Sequence, residues 1–289
     1  TLAWIPFGLA YLLLQNLLLG IQAIGAYNRV EVVTKVLSIG LIAIVILWHW
    51  VSPQNLFLIN FAIMLIGTVW VAYRLSWVER TKVTINPTLL GQTVIYGFKA
   101  YLSAFFAYLV LRLDLLMVKQ MLGIEQAGFY AVAASTADLI FMLPSVSSSI
   151  LFPRLSALSD MKRKYGFTLR VTGLVGLLMG LICTVTMLFA EPLLTLLYGV
   201  AFLPAAQALI WLMPGIFFLS LEIVLVQFLN SEGYPWRIVI AWAISLAANI
   251  GLNLWLIPLY GIMGAAVASS VAYSLMFLAV LIVTYWWSA

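Results

Sequence analysis

Phe202 to Leu229 reads FLPAAQALIWLMPGIFFLSLEIVLVQFL, 28 residues that carry a single charge, Glu222. No polar residue recurs at every second position, so the run is not a half-buried strand. Its length exceeds the roughly 20 residues that a helix needs to cross the hydrocarbon of a bilayer. A backbone placed in lipid must satisfy its own hydrogen bonds, and an apolar run of this length does so as an α-helix.

Outward from that segment the same texture repeats. Between charges, prolines and glycines the chain offers nine spans: 2–23, 30–50, 56–75, 89–122, 126–152, 169–189, 202–229, 235–257 and 261–285. The composition agrees, with 65% apolar and 8% charged residues over 289 positions and a mean hydropathy of +1.14. Such values place the chain among polytopic all-α membrane proteins and leave no stretch for a soluble domain. The fourth and fifth spans are longer than a bilayer demands, so tilt, a kink at Pro144 or a cytoplasmic extension is expected.

Basic residues orient the bundle. With the first span starting outside, the odd-numbered connections collect twelve of the 14 Lys and Arg residues, among them Arg29, Lys35, Arg74, Arg80, Lys82, Lys162, Arg163 and Arg170. The positive-inside rule makes these connections cytoplasmic and puts the C-terminus inside. The net charge of +5 is therefore a topology signal and implies no nucleic-acid partner. Thr1 opens directly into a span, and this orientation calls for an odd number of spans before it. The corner AYNRV (26–30) echoes GYPWRI (233–238) six spans later, as expected of parallel repeats of six spans. On that basis residues 1–80 are expected to be the last three helices of an N-terminal lobe, and residues 81–289 a six-helix C-terminal lobe.

Catalysis finds little support. Cys183 is the single cysteine and His49 the single histidine, so neither a disulfide nor a metal site of Cys/His spacing exists. Outer connections of a few residues offer no platform for acid/base groups around a water-accessible substrate. The informative residues are the ionisable groups at membrane depth: Arg112, Asp114, Asp138 and Glu222, each costly there without a partner or a hydrated cavity. Arg112 and Asp114, two positions apart, point to nearly opposite sides of a helix and each needs a partner from elsewhere. Arg112 suits either an acidic partner, Asp138 or Glu222, or an anionic substrate. Asn249 and Asn253 share a helix face and fall at the depth of Asp114, where Ser269 or Ser270 could join them. One carboxylate with amide and hydroxyl oxygens suits a hard monovalent cation; an ordinary asparagine-mediated helix contact competes with that reading.

Two runs then carry a resemblance. RLDLLMVKQMLGIEQAGFYAVAASTADLIFMLPSVSSSILFPRLS (112–156), with its R-x-D helix followed by a G-x-Y helix, and NIGLNLWLIPLYGIMGAAVASS (249–270) are similar to segments of polysaccharide biosynthesis proteins, as is EPLLTLLYG at 191–199. The chain thus resembles O-antigen flippases of the multidrug/oligosaccharidyl-lipid/polysaccharide exporter superfamily. The resemblance implies part of a twelve- or fourteen-helix transporter of two lobes in the bacterial cytoplasmic membrane. It would move undecaprenyl-diphosphate-linked oligosaccharide by alternating access, alongside polymerase and assembly proteins of the pathway. By position the resemblance matches Asp114, Asn249 and Asn253 to a coupling Na+ or H+ site, to which the residues themselves add Ser269 and Ser270; Arg112, Asp138 and Glu222 stand as the substrate-contact candidates, and no cofactor is expected. Related lipid II flippases place a cation between the corresponding helices, although an acidic residue at Asn253 would match them better. A multidrug antiporter of the same superfamily is the alternative, and a non-transporting scaffold the third.

Overall fold

The computed structural model describes residues 4–21, 23–76 and 86–288, and divides the chain into two units, residues 1–85 and 86–289. Arg80, Lys82 and the expected lobe boundary at 80/81 lie outside the described residues.

The first unit holds α1 (Trp4–Gly20), α2 (Ile24–Leu47) and α3 (Pro53–Leu75). All three pack on one another, around Leu18, Val30 and Val71. A Cβ at Gly67 would stand 2.7 Å from the Tyr11 ring, so the missing side chain is what lets α1 and α3 close. Ser52 and Pro53 start α3: the hydroxyl accepts the Asn55 amide at 3.1 Å and proline occupies a position whose N–H would have no partner. AYNRV lies within the first two turns of α2, whereas Gly233 and Tyr234 of its echo form a turn, so the two corners are not structurally equivalent.

The second unit contains α4 (Pro87–Leu122), α5 (Ile124–Ser156), α6 (Met161–Leu188), α7 (Ala190–Tyr198), a 3₁₀ turn (Val200–Phe202), α8 (Ala205–Ser231) and α9 (Trp236–Ser288). Helix α8, the quoted segment, is the axis: α5, α6 and α9 pack around it, and Leu209, Met213, Leu225 and Phe228 are fully buried. Pro144 sits inside α5 without interrupting it. The short α7 was not foreseen; it turns Ala190 and Leu194 toward the core and ends where Gly199 adopts φ of 91°.

A straight 53-residue helix would run about 80 Å, far beyond a bilayer. At Gly261 (φ 60°, ψ −140°) the backbone leaves helical geometry and α9 folds back on itself. Ser245 bonds to Ala272, Asn249 meets Ser269, and Gly264 lies against Leu256, contacts that pair the two halves antiparallel. A Cβ at Gly264 would sit 2.2 Å from the Leu256 carbonyl oxygen, so the Gly261–Gly264 pair is what closes the hairpin. Seven of the helices are long and apolar enough to cross a membrane. With α9 taken as two and the shorter apolar α1 added, the described residues supply the nine expected spans. The protein is a polytopic all-α membrane bundle.

Candidate functional site

Helix α4 buries one stripe, Ser103, Val110, Asp114 and Val118, against α5 and α9. Asp114 is 3% exposed and fully engaged. Its Oδ2 accepts hydrogen bonds from the Tyr130 hydroxyl on α5 at 2.5 Å and the Ser269 hydroxyl on α9 at 2.8 Å, while Oδ1 accepts from the Leu115 amide at 2.7 Å. The network continues into the first half of α9. Asn249 Nδ2 donates to Ser269 Oγ at 3.4 Å, and Asn253 Nδ2 donates to Asn249 Oδ1 at 3.0 Å and to its carbonyl at 2.9 Å. Asn249, Asn253 and Ser269 are completely buried, and Asn253 Oδ1 has no hydrogen-bond partner among the described residues. A buried amide oxygen left bare is unusual and points to a group that completes it. Carboxylate, amide and hydroxyl oxygens from three helix segments form the donor set that a hard monovalent cation takes.

Ser270 does not belong to this group. It donates to the Trp211 carbonyl on α8 at 2.5 Å and accepts from the Gly215 amide at 3.2 Å. Consecutive helix positions lie about 100° apart, so only one of the two serines can face Asp114. Tyr130 was the residue missed. It is the Tyr of the G-x-Y signature at Gly128–Tyr130, and that signature was the one available sign of it.

Arg112, two positions before Asp114 on α4, forms an ion pair with Asp138 of α5 at 2.8 Å, and the two side chains remain 45% and 39% exposed. Asp114 takes no part in that pair. Glu222 is elsewhere: Arg112 lies about 15 Å from the C-terminal end of α4, whereas Glu222 lies about 25 Å from the N-terminal end of α8. Glu222 is 3% exposed, near Tyr234, with no hydrogen bond or ion pair among the described residues. In the first unit, Gln15 Nε2 bridges Tyr11 Oη at 2.8 Å and Glu31 Oε2 at 3.0 Å, a polar contact between α1 and α2 that nothing in the sequence signalled. No group of three metal-ligating His, Cys, Asp or Glu side chains occurs among the described residues.

The architecture defines a polytopic helical membrane bundle with a polar site buried between its helices. Its fold matches the crystal structure of a mutant of the Vibrio cholerae MATE transporter VcmN, with a TM-score of 0.77 at 16% identity, over 90% of this chain and 61% of that one. The chain thus spans about three-fifths of the length of that transporter. No curated protein matches it in sequence. A sequence model of polysaccharide biosynthesis proteins matches residues 23–207, well over half of the chain. The chain belongs to the polysaccharide biosynthesis protein family.

Proposed function

We propose that this chain is the transporting part of a flippase that carries undecaprenyl-diphosphate-linked oligosaccharide from the cytoplasmic to the outer leaflet of a bacterial inner membrane. It is no enzyme in this reading, and its C-terminus is cytoplasmic. Residues 1–80 belong to one lobe and residues 81–289 to the other, and transport along a polar passage proceeds by alternating access. A diphosphate and its sugars do not cross hydrocarbon unaided, so the passage substitutes polar and cationic groups for water while the lipid tail stays in the bilayer. Arg112 supplies a forked cationic donor for the diphosphate, and Asp138 holds it in place between turnovers.

The observation that carries the reading is the Asp114 group, in which the Tyr130 and Ser269 hydroxyls bond the buried carboxylate directly and Asn249 and Asn253 extend the chain of hydrogen bonds through Ser269, the four coming from α5 and both arms of α9. Such a group binds a coupling Na+ or H+, with Asp114, Asn249, Asn253 and Ser269 as its oxygen donors. Its members come from α4 and from both arms of the α9 hairpin, so filling it locks those elements together and biases one arrangement of the lobes.

The test is rescue of a flippase-deficient strain by the full-length gene, comparing wild type with Arg112→Ala and Asp114→Ala. Loss of surface glycan at normal protein abundance is the expected result for both. Unchanged glycan in both removes the site assignment, and export of amphipathic cations in place of glycan identifies the multidrug alternative.

A further inference from the structure

The cytoplasmic end of α6 bears a feature that neither the Asp114 group nor the Arg112 pair uses. Lys162, Gly166 and Arg170 follow one another at i, i+4 and i+8 on a single stripe, flanked by Arg163 and Phe167. Together these five residues line a depression of about 400 Å³. Gly166 forms its floor: a Cβ there would meet nothing within 4 Å, so the space in front of it is open. Lys162, Arg163 and Arg170 are exposed around it, and Arg163 also lies 3.4 Å from Asp160, the residue that caps the helix.

The opposite side of the same turns is fixed to the bundle. Lys164, 7% exposed, is ion-paired with Glu232 at the end of α8, and the Tyr165 ring stacks edge-on against Phe228. The cup is therefore held rigidly in one orientation while its cations point outward.

Depth then identifies what it meets. Helix α6 has 28 residues and the hydrocarbon spans about 20 of them, so counting back from Leu188 places the core boundary near Leu169. Arg170 stands at that boundary and Lys162 to Phe167 at headgroup level. With the orientation set by the basic residues, this is the cytoplasmic leaflet, which attracts cationic side chains through its anionic lipids.

We propose that the Lys162–Gly166–Arg170 cup is a binding site for the phosphate headgroup of an anionic phospholipid of the cytoplasmic leaflet, with Gly166 admitting the phosphate and Phe167 lying along the start of an acyl chain. The site is independent of what the bundle transports. It anchors the start of α6 at a fixed height, beside the α8–α9 turn held through Lys164 and Glu232.

The experiment measures binding of phosphatidylglycerol, phosphatidylcholine and farnesyl diphosphate to the purified full chain in detergent by native mass spectrometry. Wild type is expected to retain phosphatidylglycerol in preference to the other two. Arg170→Gln weakens that binding about fivefold, the worth of one cation near an anionic headgroup. Gly166→Leu weakens it at least as much with no change in charge, because the side chain fills the cup. The paired control Arg29→Gln/Arg74→Gln leaves it unaltered. Wild-type affinity in a folded Gly166→Leu protein overturns the proposal, as does an equal loss in the control, which would reduce the effect to diffuse positive charge. Retention of farnesyl diphosphate without phosphatidylglycerol overturns it too, in favour of a substrate contact. Should Gly166→Leu not fold, Lys162→Gln/Arg170→Gln against the control pair decides the matter by the same criterion.

Discussion

Replacing Asp114 by Leu removes the acceptor of two hydroxyl hydrogen bonds and strands the hydroxyls of Tyr130 and Ser269, whose side chains are completely buried. Interhelical hydrogen bonds in membrane proteins are worth about 0.6 kcal/mol on average and up to about 1.7 each, so the loss is about 1–3 kcal/mol. Tyr130→Phe removes one of the two donors and costs about 0.6–1.7 kcal/mol by the same scale. The double variant Asp114→Leu/Tyr130→Phe leaves only Ser269 stranded, so its destabilisation falls short of the sum by about 1 kcal/mol. The assay is reversible unfolding of the purified protein in mixed micelles, followed by circular dichroism, for all corners of the cycle. A second cycle pairs Tyr130→Phe with Asp138→Leu, two positions eight residues apart on α5 and about 12 Å distant, and should show no coupling. Additivity in the first cycle within about 0.3–0.5 kcal/mol refutes the account of Asp114 as the centre of a shared network.

Other perturbations separate packing from function. Arg112→Ala is expected to lower the unfolding free energy by less than about 1 kcal/mol, since its ion pair with Asp138 is two-fifths exposed, while abolishing surface glycan; a stability loss several times larger would mean the pair is structural. Gly264→Ala forces a methyl into the Leu256 carbonyl and should cost about 1–3 kcal/mol or prevent accumulation, whereas Gly251→Ala, with open space before it, should be neutral or stabilising by thermal unfolding. The Tyr234 phenol, in the turn between α8 and α9, is pushed up to about 12 by burial. Its stabilising effect is full below the ordinary tyrosine value of 10 and disappears as pH rises through 12, so wild type should lose about 2–3 kcal/mol more than Tyr234→Phe across that window; parallel pH curves would show that the phenol is not confined.

The spans were legible because lipid imposes one rule on every segment, internal satisfaction of the backbone, and residue hydropathy reports directly where it applies. Even the turn of the α9 hairpin could be placed at Pro258–Gly261, since proline and glycine interrupt a run that is otherwise too long. The presence of costly side chains at depth was legible for the same reason: Arg112, Asp114, Asp138 and Glu222 stand out against an apolar background. That Arg112 and Asp114 would not pair with each other also followed from helical geometry: each finds its own partner on α5, Asp138 for Arg112 and Tyr130 for Asp114.

What the sequence left open was which face of each helix meets which neighbour. In water an amphipathic pattern answers that, but lipid tails are as apolar as a protein core, so buried and lipid-facing positions read alike. The choice of Ser269 over Ser270, of Asp138 over Glu222 as the partner of Arg112, and of Tyr130 as the principal donor to Asp114 was therefore made only when α4, α5, α8 and the two arms of α9 packed together.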